Sequence, residues 1–299
     1  MLNRIRAYRE RGWTAIAPEA YRDAWQCWGG SVATHPDVVH GLSHLADIRV
    51  EYLGWFAEGQ LQAAIPVWGR HIALSRAVLK REGKRGVFDL GNAEVILPQS
   101  VHGRIALRHC VRYLSALHAG RIAGLSRQKE GLAIARAPEE YGSKFRYNQR
   151  REERLLEDSG GRIQPISDLS PREIAAMYRG LFEKRWGFAV PGKDCLEQVF
   201  VLLRPLMTGS FITVQGQPAA IQILYRAESP EWVSVEYING GVDPAWNALS
   251  PGSVLSFVNT RNEWAHARAL RKQLRYSFGR ADRGYKARWC HSVPAYEAG

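Results

Sequence analysis

The chain has 299 residues, of which 45% are hydrophobic and 23% charged, with 41 lysine and arginine residues against 29 aspartate and glutamate residues. This composition excludes a disordered protein, and the length suits two domains of about 150 residues each. The net charge of +12 favours an anionic partner, such as nucleic acid, a phosphorylated substrate or an acidic membrane surface, without choosing among them.

The first half is predicted to begin with two helices and a hairpin. Helical patterns at 18–28 and 35–45 precede an alternating run at 49–68, which predicts a β-hairpin turning at Gly59. A further helix is predicted over 102–120. Two short strands are then expected in IAGLS and GLAIARA.

A basic helix is predicted to bridge two lobes. Residues 138–159 have a helical composition and run into two glycines. We therefore place an N-terminal lobe at 1–137 and a C-terminal lobe at 138–299, with this helix as the bridge.

The second half repeats the order of the first. Helices are predicted at 170–187 and 193–206, and strands at 210–228 and 232–240. A helix at 250–270 and a last strand in LRYSF follow. Ser250 is predicted to cap the helix at 250–270. The segments GWFAEGQLQAAIPVW and SFITVQGQPAAIQIL share a Gly-Gln turn and an Ala-Ala-Ile return, which suggests duplication. This order predicts an α+β fold of two similar lobes, each a mixed, mostly antiparallel sheet flanked by helices.

Three motifs carry a resemblance to a known family. They are YGSKFRYNQRREERLLEDSGG, GGVDPAWNALSPGSVL and YSFGRADRGYKARW, in this order within residues 141–289. Together they resemble the GNAT superfamily and, within it, the double-lobed Fem-like acyl and aminoacyl transferases. The length and the opening MLNRIRAYRERGW are similar, more narrowly, to the macrophage-inducible antimicrobial-peptide resistance proteins of Gram-negative bacteria. The resemblance implies two tandem GNAT-like acyltransferase lobes.

The resemblance also implies an activity. We expect transfer of an acyl or aminoacyl group onto an amine of a lipopolysaccharide-type cell-envelope precursor, which would contribute to resistance against cationic antimicrobial peptides. The donor is either acyl-coenzyme A or aminoacyl-tRNA. The acceptor would be a glycolipid or an amino sugar. The alternative is a non-catalytic, membrane-associated binding or regulatory protein with a degenerate GNAT fold.

The closing motif is expected to hold the reaction centre. In Fem-like enzymes the lysine of a closing aromatic-lysine pair lies at that centre, and Tyr285 and Lys286 occupy the corresponding place. We predict that Lys286 stabilises the oxyanion of acyl transfer and that Tyr285 packs beside it. The alternative is that both residues only close the last strands against the core.

Other residues are predicted to bind donor or substrate. Glu236 and Tyr237 are neighbours in a strand and point to opposite faces, so only one of them can line the site. The helix start with Ser250, Gly252 and Ser253 suits a phosphate, although it has one glycine where coenzyme A enzymes carry a glycine-rich loop, which puts coenzyme A in doubt.

Basic residues supply the remaining candidates. Arg146, Arg150 and Arg154 recur every four residues and predict a stripe on the bridging helix, with Tyr147 on a neighbouring face. Residues 261–288, including Arg280 in the closing motif, carry nine basic residues against two acidic ones, which suits RNA phosphates, a phosphorylated lipopolysaccharide core or acidic lipid headgroups. Simple arginine-rich composition is the alternative.

Motifs for several other sites are missing from the sequence. The four cysteines form no CxxC pair, which favours a reducing compartment, and His40 and His44 have a ligand-like spacing without an acidic or cysteine partner, so no metal is expected. There is no GxSxG elbow and no P-loop, which excludes the corresponding hydrolases and nucleotide triphosphatases.

The chain is expected in the cytoplasm. Its N-terminus has no apolar run of signal-peptide length, and no stretch is apolar enough to span a membrane. Contact with the acidic inner face of the inner membrane is a further expectation, through Arg4, Arg6, Arg9 and Arg11. The alternative is a solvated, frayed terminus.

Overall fold

The computed structural model describes residues 2–299, with side chains from Ile5 onward. The helices are α1 (Leu2–Arg9), α2 (Pro18–Trp28), α3 (Pro36–Leu45), α4 (Arg76–Arg81), α5 (Ser143–Asp158), α6 (Pro171–Trp186), α7 (Leu196–Leu202) and α8 (Pro251–Ala269). The strands of the first half are β1 (Trp13–Ala15), β2 (Glu51–Ala57), β3 (Gln60–Trp68), β4 (His71–Ile72), β5 (Ile105–Ala106), β6 (Val111–Ser115), β7 (Ile122–Ala123), β8 (Ser126–Arg127) and β9 (Leu132–Ala135).

The strands of the second half follow the bridging helix. They are β10 (Gly161–Pro165), β11 (Met207–Thr208), β12 (Ser210–Val214), β13 (Gln217–Glu228), β14 (Trp232–Val242), β15 (Gln273–Arg280), β16 (Cys290–Val293) and β17 (Ala295–Ala298). Helices and mostly antiparallel sheets confirm the predicted α+β class.

Most local predictions are confirmed. The helices expected at 18–28, 35–45, 170–187 and 250–270 are α2, α3, α6 and α8, and the helix inside 138–159 is α5. The hairpin at Gly59 joins β2 to β3, with Ala57 opposite Gln60. These elements have local signals, namely Pro in the first helical turn and a Gly with positive φ in the tight turn.

The helix predicted over 102–120 is wrong. This segment contains β5 and β6, followed by one 3-10 turn. Its apolar side chains enter a core with Ile65 and Ile72, and β6 pairs with β17, whose Ala295 lies opposite Ser115. The strand partner is about 180 residues away along the chain, so a local periodicity cannot reveal it.

The large sheet contains the feature that shapes the site. Its strand order is β10-β12-β13-β14-β15-β9-β16, with β11 also pairing β13. β14 and β15 run parallel and pair from Trp232 opposite Gln273 to Glu236 opposite Ser277. Beyond that point β14 stays paired with β13 alone, whereas β15 pairs with β9 at Arg280. The two parallel strands therefore part and form a fork.

Helices cover both faces of this sheet. α6 packs on the face that carries Ile221, Ile223 and Tyr225, in a core shared with α2 and α3 of the first half. α8 packs on the other face, where Val254 and Leu255 meet Ala220 and α5. The alternation along β13 explains this arrangement, because successive side chains of a strand point to opposite faces.

Two strands cross the boundary predicted at residue 137. β9 precedes the boundary but lies in the large sheet between β15 and β16, and β17 follows it but lies between β6 and β8. The division into 1–137 and 138–299 stays a prediction. The two halves share a core and exchange strands.

Candidate functional site

A cavity of about 200 Å³ lies in the fork between β14 and β15. A groove of about 390 Å³ continues from it over the start of α8, and the two share Arg185, Val242, Gly252 and Ser253. The cavity is lined by side chains from both faces of the sheet and from the closing loop (residues 281–289), namely Arg185, Ile221, Gln222, Tyr237, Gly240, Val242, Gly252, Ser253, Leu255, Ser256, Tyr285, Arg288 and Trp289. The cavity thus lies beside the part of β14 that no longer pairs with β15.

Tyr237 lies in β14 just past the last parallel pair. A side chain at Gly240 would place its Cβ 2.8 Å from the Tyr237 hydroxyl and 2.8 Å from the Ile221 carbonyl oxygen, so glycine is required there for the tyrosine to fit. Burial raises the pKa of Tyr237, nearby Tyr285 raises it further, and Arg185 opposes both effects. The phenol therefore stays protonated at neutral pH and can donate a hydrogen bond.

Two guanidinium groups make the cavity positive. Arg185, in the last turn of α6, lies 4.8 Å from the centre of the Trp186 ring, and Arg288 lies 5.9 Å from the centres of the Phe145 and Trp289 rings. Among the described residues that line the cavity or the groove, none is acidic. Such a site favours a ligand with negative charge or with carbonyl oxygens.

The start of α8 differs from the predicted cap. Ser250 adopts φ 50° and ψ 41°, and its side chain makes no capping hydrogen bond, so the predicted cap is wrong. A side-chain cap needs an extended backbone at this position. The Ser250 carbonyl instead accepts from the N–H groups of Ser253 and Val254. Because Pro251 has no N–H, only Gly252 retains a free N–H in this first turn.

A chain of buried amides forms one wall of the cavity. Asn259 Nδ2 donates to Gln222 Oε1 at 2.8 Å, and Gln222 Nε2 donates to Ser256 Oγ at 2.9 Å. Ser256 Oγ donates in turn to the Gly252 carbonyl oxygen at 3.0 Å. Gln222 and Ser256 line the cavity, whereas Asn259 lies behind them on α8.

The two residues predicted to be catalytic lie in different surroundings. Tyr285 lines the cavity and is half exposed. Lys286 is not among the lining residues, because its Nζ donates to the Arg280 carbonyl oxygen at 2.6 Å and to Asp282 Oδ1 at 3.2 Å. Burial alone would raise the pKa of Asp282, but hydrogen bonds from Arg280 and Lys286 hold it below its ordinary value. In this structure Lys286 fastens the closing loop.

Glu236 lies on the opposite face of the sheet from Tyr237, as the alternation predicts. It is 1% exposed, and its Oε1 accepts the Glu94 N–H at 2.9 Å. Burial, and then the neighbouring Glu94 carboxylate, raise the pKa of Glu236 well above its ordinary value. Of the two candidates, Tyr237 lines the cavity and Glu236 joins the contact between the two halves.

The predicted basic residues separate into two groups. Arg280 pairs with Asp282 at 2.7 Å and with Glu130 at 3.0 Å, away from the cavity lining. Arg146 folds back onto the Tyr141 carbonyl oxygen. α5 ends with the exposed acids Glu157 and Asp158, and five exposed basic or aromatic side chains lie along the rest of the helix, namely Lys144, Tyr147, Arg150, Arg151 and Arg154. We call these five residues the α5 basic face. α5 contacts the cavity wall through its opposite, buried side, where Ser253 Oγ donates to Gln149 Oε1 at 3.1 Å.

Ion pairs neutralise much of the excess charge predicted in residues 261–288. Arg261 pairs with Glu153 at 2.9 Å and Arg268 pairs with Glu139 at 2.6 Å. Arg275 pairs with Glu94 of the first half. The acids come from distant parts of the chain, so the local count overstated the free charge.

Two of the four N-terminal arginines predicted to contact a membrane have acidic partners. Arg6 pairs with Glu10 and with Glu51, each at 3.0 Å, and Arg9 pairs with Glu10 at 3.1 Å. The Arg4 side chain lies outside the described residues. In the part of the chain from residue 2 onward, no helix has the length and apolarity to cross a membrane. Within the same part, no group of three or more metal-ligating side chains is placed to hold an ion.

Sequence reasoning missed several residues of the cavity. Arg185 stands in no motif, and Arg288 lies in the closing motif but was counted only among the basic residues of 261–288. Only the fold brings the two together. Gln222 and Asn259 do have a signal: each is an amide in an otherwise apolar stretch, AAIQILY and VLSFVNT, that was correctly predicted as a strand or a helix. A buried amide in such a stretch requires a partner and indicates a polar site.

The fold is similar to that of several solved structures. The crystal structure of FemX superposes with a TM-score of 0.56 at 9% identity, over 95% of this chain and 96% of that chain. The C-terminal domain of a putative lysylphosphatidylglycerol synthetase from Agrobacterium fabrum gives 0.48 at 14% identity, over 94% and 91%. A tandem GNAT protein from the clavulanic acid biosynthesis pathway gives 0.45 at 10%, over 96% and 98%. The similarity to FemX over nearly the whole chain confirms the predicted Fem-like fold.

Comparison of sequences identifies the family. A search of curated proteins finds no match. The Mig-14 family model, in contrast, matches residues 35–298, which contain the fork, the cavity, the bridging helix and the closing loop. This agrees with the narrower resemblance drawn from the length and the opening segment. The chain belongs to the Mig-14 family.

Proposed function

We propose that the protein transfers an aminoacyl group from aminoacyl-tRNA to an amine of a lipopolysaccharide-type cell-envelope component. The observation that carries this proposal is the cavity in the fork, where Arg185, Arg288 and the Tyr237 hydroxyl converge without a carboxylate among the described lining residues. Acyl transfer requires positive charge and hydrogen-bond donors at the carbonyl oxygen that becomes an oxyanion. The cavity supplies both.

In the proposed reaction the neutral amine of the acceptor attacks the carbonyl carbon of the aminoacyl ester. A new N–C bond forms, the C–O bond to the tRNA ribose breaks, and the proton lost by the amine ends on the released ribose hydroxyl. Arg185 stabilises negative charge on the tetrahedral intermediate. Tyr237 keeps its proton because burial raises its pKa, so it can donate to the leaving oxygen and be reprotonated by the amine.

Two features favour aminoacyl-tRNA over acyl-coenzyme A. A pyrophosphate needs several free N–H groups at a helix start, and α8 offers only that of Gly252 in its first turn. The α5 basic face lies on the outer side of the helix whose inner side contacts the cavity wall through the Gln149–Ser253 hydrogen bond, and it suits a polyanionic backbone. Within the proposal, Arg150 and Tyr147 contact the tRNA, and Ser250, Gly252 and Ser253 meet its aminoacyl end.

The closing loop has a supporting role in this proposal. Tyr285 forms part of the cavity wall, and Lys286 holds the loop in place through Asp282 and the Arg280 carbonyl oxygen. Arg185 then takes the oxyanion role first predicted for Lys286. Substitution of Lys286 should lower activity by loosening the wall.

Aminoacylation of this acceptor would explain resistance to cationic antimicrobial peptides. Amide formation removes the positive charge of the acceptor amine and the new α-amino group restores it. An amino acid with a basic side chain therefore adds a net positive charge, which offsets envelope phosphate and weakens the attraction of the surface for cationic peptides. The protein would act from the cytoplasmic face, in peripheral contact with the inner membrane where such precursors are assembled. The alternative, a non-catalytic membrane-bound scaffold, is an outcome of the test below.

The test is a transfer assay with purified protein, total tRNA charged with radiolabelled amino acids, and purified lipopolysaccharide. We expect label on the lipopolysaccharide that resists the mild base that hydrolyses aminoacyl esters, and loss of label with Arg185→Gln. Arg172→Gln is the matched control, since Arg172 is an exposed residue at the other end of α6. Transfer from labelled acetyl-coenzyme A instead would overturn aminoacyl-tRNA as the donor. Absence of transfer from either donor would favour the non-catalytic membrane-bound scaffold.

A further inference from the structure

The amide chain behind the cavity has a fixed direction. The Gly252 carbonyl can only accept, so the single hydroxyl proton of Ser256 is committed to it at 3.0 Å. Ser256 Oγ must then accept from Gln222, which directs the Nε2 end of that amide toward Ser256 and the Oε1 end toward Asn259. A main-chain carbonyl thereby determines which end of Gln222 faces the cavity.

This chain is buried at a cost. Gln222, Asn259 and Ser256 are 4%, 2% and 8% exposed, amid a core of Ala220 and Leu255. Replacing polar groups in such a place by apolar ones of similar shape is often neutral or stabilising, so stability alone does not account for three of them. Gln222 Nε2 donates to Ser256 Oγ at 2.9 Å and, at the upper limit of hydrogen-bond distance, to the Gly252 carbonyl oxygen at 3.5 Å. The second N–H is therefore held only weakly, and a ligand oxygen in the cavity can compete for it.

We propose that Gln222 donates this N–H to the carbonyl oxygen of the acyl group in the cavity, and that Asn259 is a positioning residue that keeps the amide in the donating orientation. The inference rests on the proposed function and deepens it. Asn259 acts only through Gln222, since it is not among the lining residues. The donated bond strengthens as the carbonyl oxygen becomes an oxyanion, so the contribution belongs to kcat rather than to donor affinity.

Two substitutions isolate the two roles. Gln222→Met keeps the length of the side chain and removes the N–H donor. Asn259→Asp keeps the shape and replaces the donor by a carboxylate, which attracts Gln222 Nε2 and turns the amide so that Oε1 faces Ser256. Each should lower kcat on the order of a hundredfold in the aminoacyl transfer assay and leave KM for the charged tRNA within about twofold.

Matched controls separate this effect from core damage. Thr260→Val alters the next buried residue of α8, whose hydroxyl has no partner among the described residues, and should retain wild-type kcat. Gln217→Met makes the same chemical change at an exposed position of β13 and should do likewise. Melting temperature is recorded for every variant.

A double variant covers the case in which Asn259→Asp does not fold. Asn259→Leu should lower kcat in the wild-type background but have no further effect beside Gln222→Met, because a positioning residue needs the group that it positions. Wild-type transfer with unchanged kcat in Gln222→Met and Asn259→Leu would overturn the inference alone. Additive losses in the double variant would overturn the role of Asn259, and absence of transfer by the wild type would overturn the proposed function and the inference with it.

Discussion

The buried pair of Glu94 and Arg275 joins the two halves of the chain, and removing one partner should destabilise the protein severely. The Glu94 side chain is 1% exposed and that of Arg275 is 16% exposed, and Arg275 Nε donates to Glu94 Oε2 at 3.1 Å. Leaving one charge of a buried pair unpaired costs about 3 to 5 kcal/mol. Glu94→Ala should therefore lower the free energy of unfolding by an amount in this range.

A second carboxyl decides where in this range the loss falls. Glu236 lies beside the pair, and the Glu94 carboxylate contributes to its raised pKa. Once Glu94 is removed, Glu236 can ionise more easily and compensate part of the Arg275 charge, so Glu94→Ala alone should cost about 3 kcal/mol, at the low end. The double variant Glu94→Ala/Glu236→Gln removes this compensation and should cost about 5 kcal/mol.

Urea unfolding followed by tryptophan fluorescence measures these losses, since urea does not screen charge. Glu82→Ala is the control, because Glu82 is 45% exposed in its pair with Arg81 and should contribute less than about 1 kcal/mol. Replacing both buried partners, in Glu94→Leu/Arg275→Met, should recover much of the stability. A loss below about 1 kcal/mol for Glu94→Ala would refute this account of the contact between the halves.

Three further predictions follow from the charges and thiols. Burial, and then Glu94, raise the pKa of Glu236 well above 4.5, so the free energy of unfolding should fall as the pH rises from 4.5 toward the pKa of the folded state. Glu236→Gln should flatten this pH dependence, and an unchanged pH dependence in the variant would contradict the raised pKa of Glu236. Burial raises the pKa of Cys290 to about 12, so iodoacetamide should modify exposed Cys27 and spare Cys290 in peptide mass mapping, whereas labelled Cys290 in folded protein would contradict its buried position. Arg150→Gln/Arg154→Gln should weaken tRNA binding and reduce its salt slope by about 1.5, and an identical slope would exclude the α5 basic face.

Local sequence patterns predicted much of the fold. Proline in the first helical turn, glycine in the hairpin turn at Gly59 and apolar periodicity predict α2, α3, α6 and α8, because these patterns act over a few residues. The segment at 102–120 was misread because β6 is a strand only through pairing with β17 near the other end of the chain. Pairing over such a distance overrides local preference.

The site was predictable in part, for the same reason. The closing motif pointed to Tyr285, which lines the cavity. Strand alternation predicted that Tyr237 and Glu236 face opposite sides of the sheet, and in the structure Tyr237 lines the cavity while Glu236 accepts the Glu94 N–H. The orientation of Lys286 depends on Asp282 and on a backbone carbonyl four to six residues away, which a linear motif does not encode. Arg185 reaches the cavity from the last turn of α6 because the tertiary fold packs α6 against β14, which a linear motif does not encode.

The central claim is that the cavity in the fork transfers an aminoacyl group to the envelope. The most direct measurement is the intact mass of the lipopolysaccharide core from cells with the wild-type protein, without the protein, with Arg185→Gln and with the control Arg172→Gln. We predict a single aminoacyl increment with the wild type and the control, and none in the other two strains. Identical spectra from all four strains would contradict the claim and favour a membrane-bound scaffold.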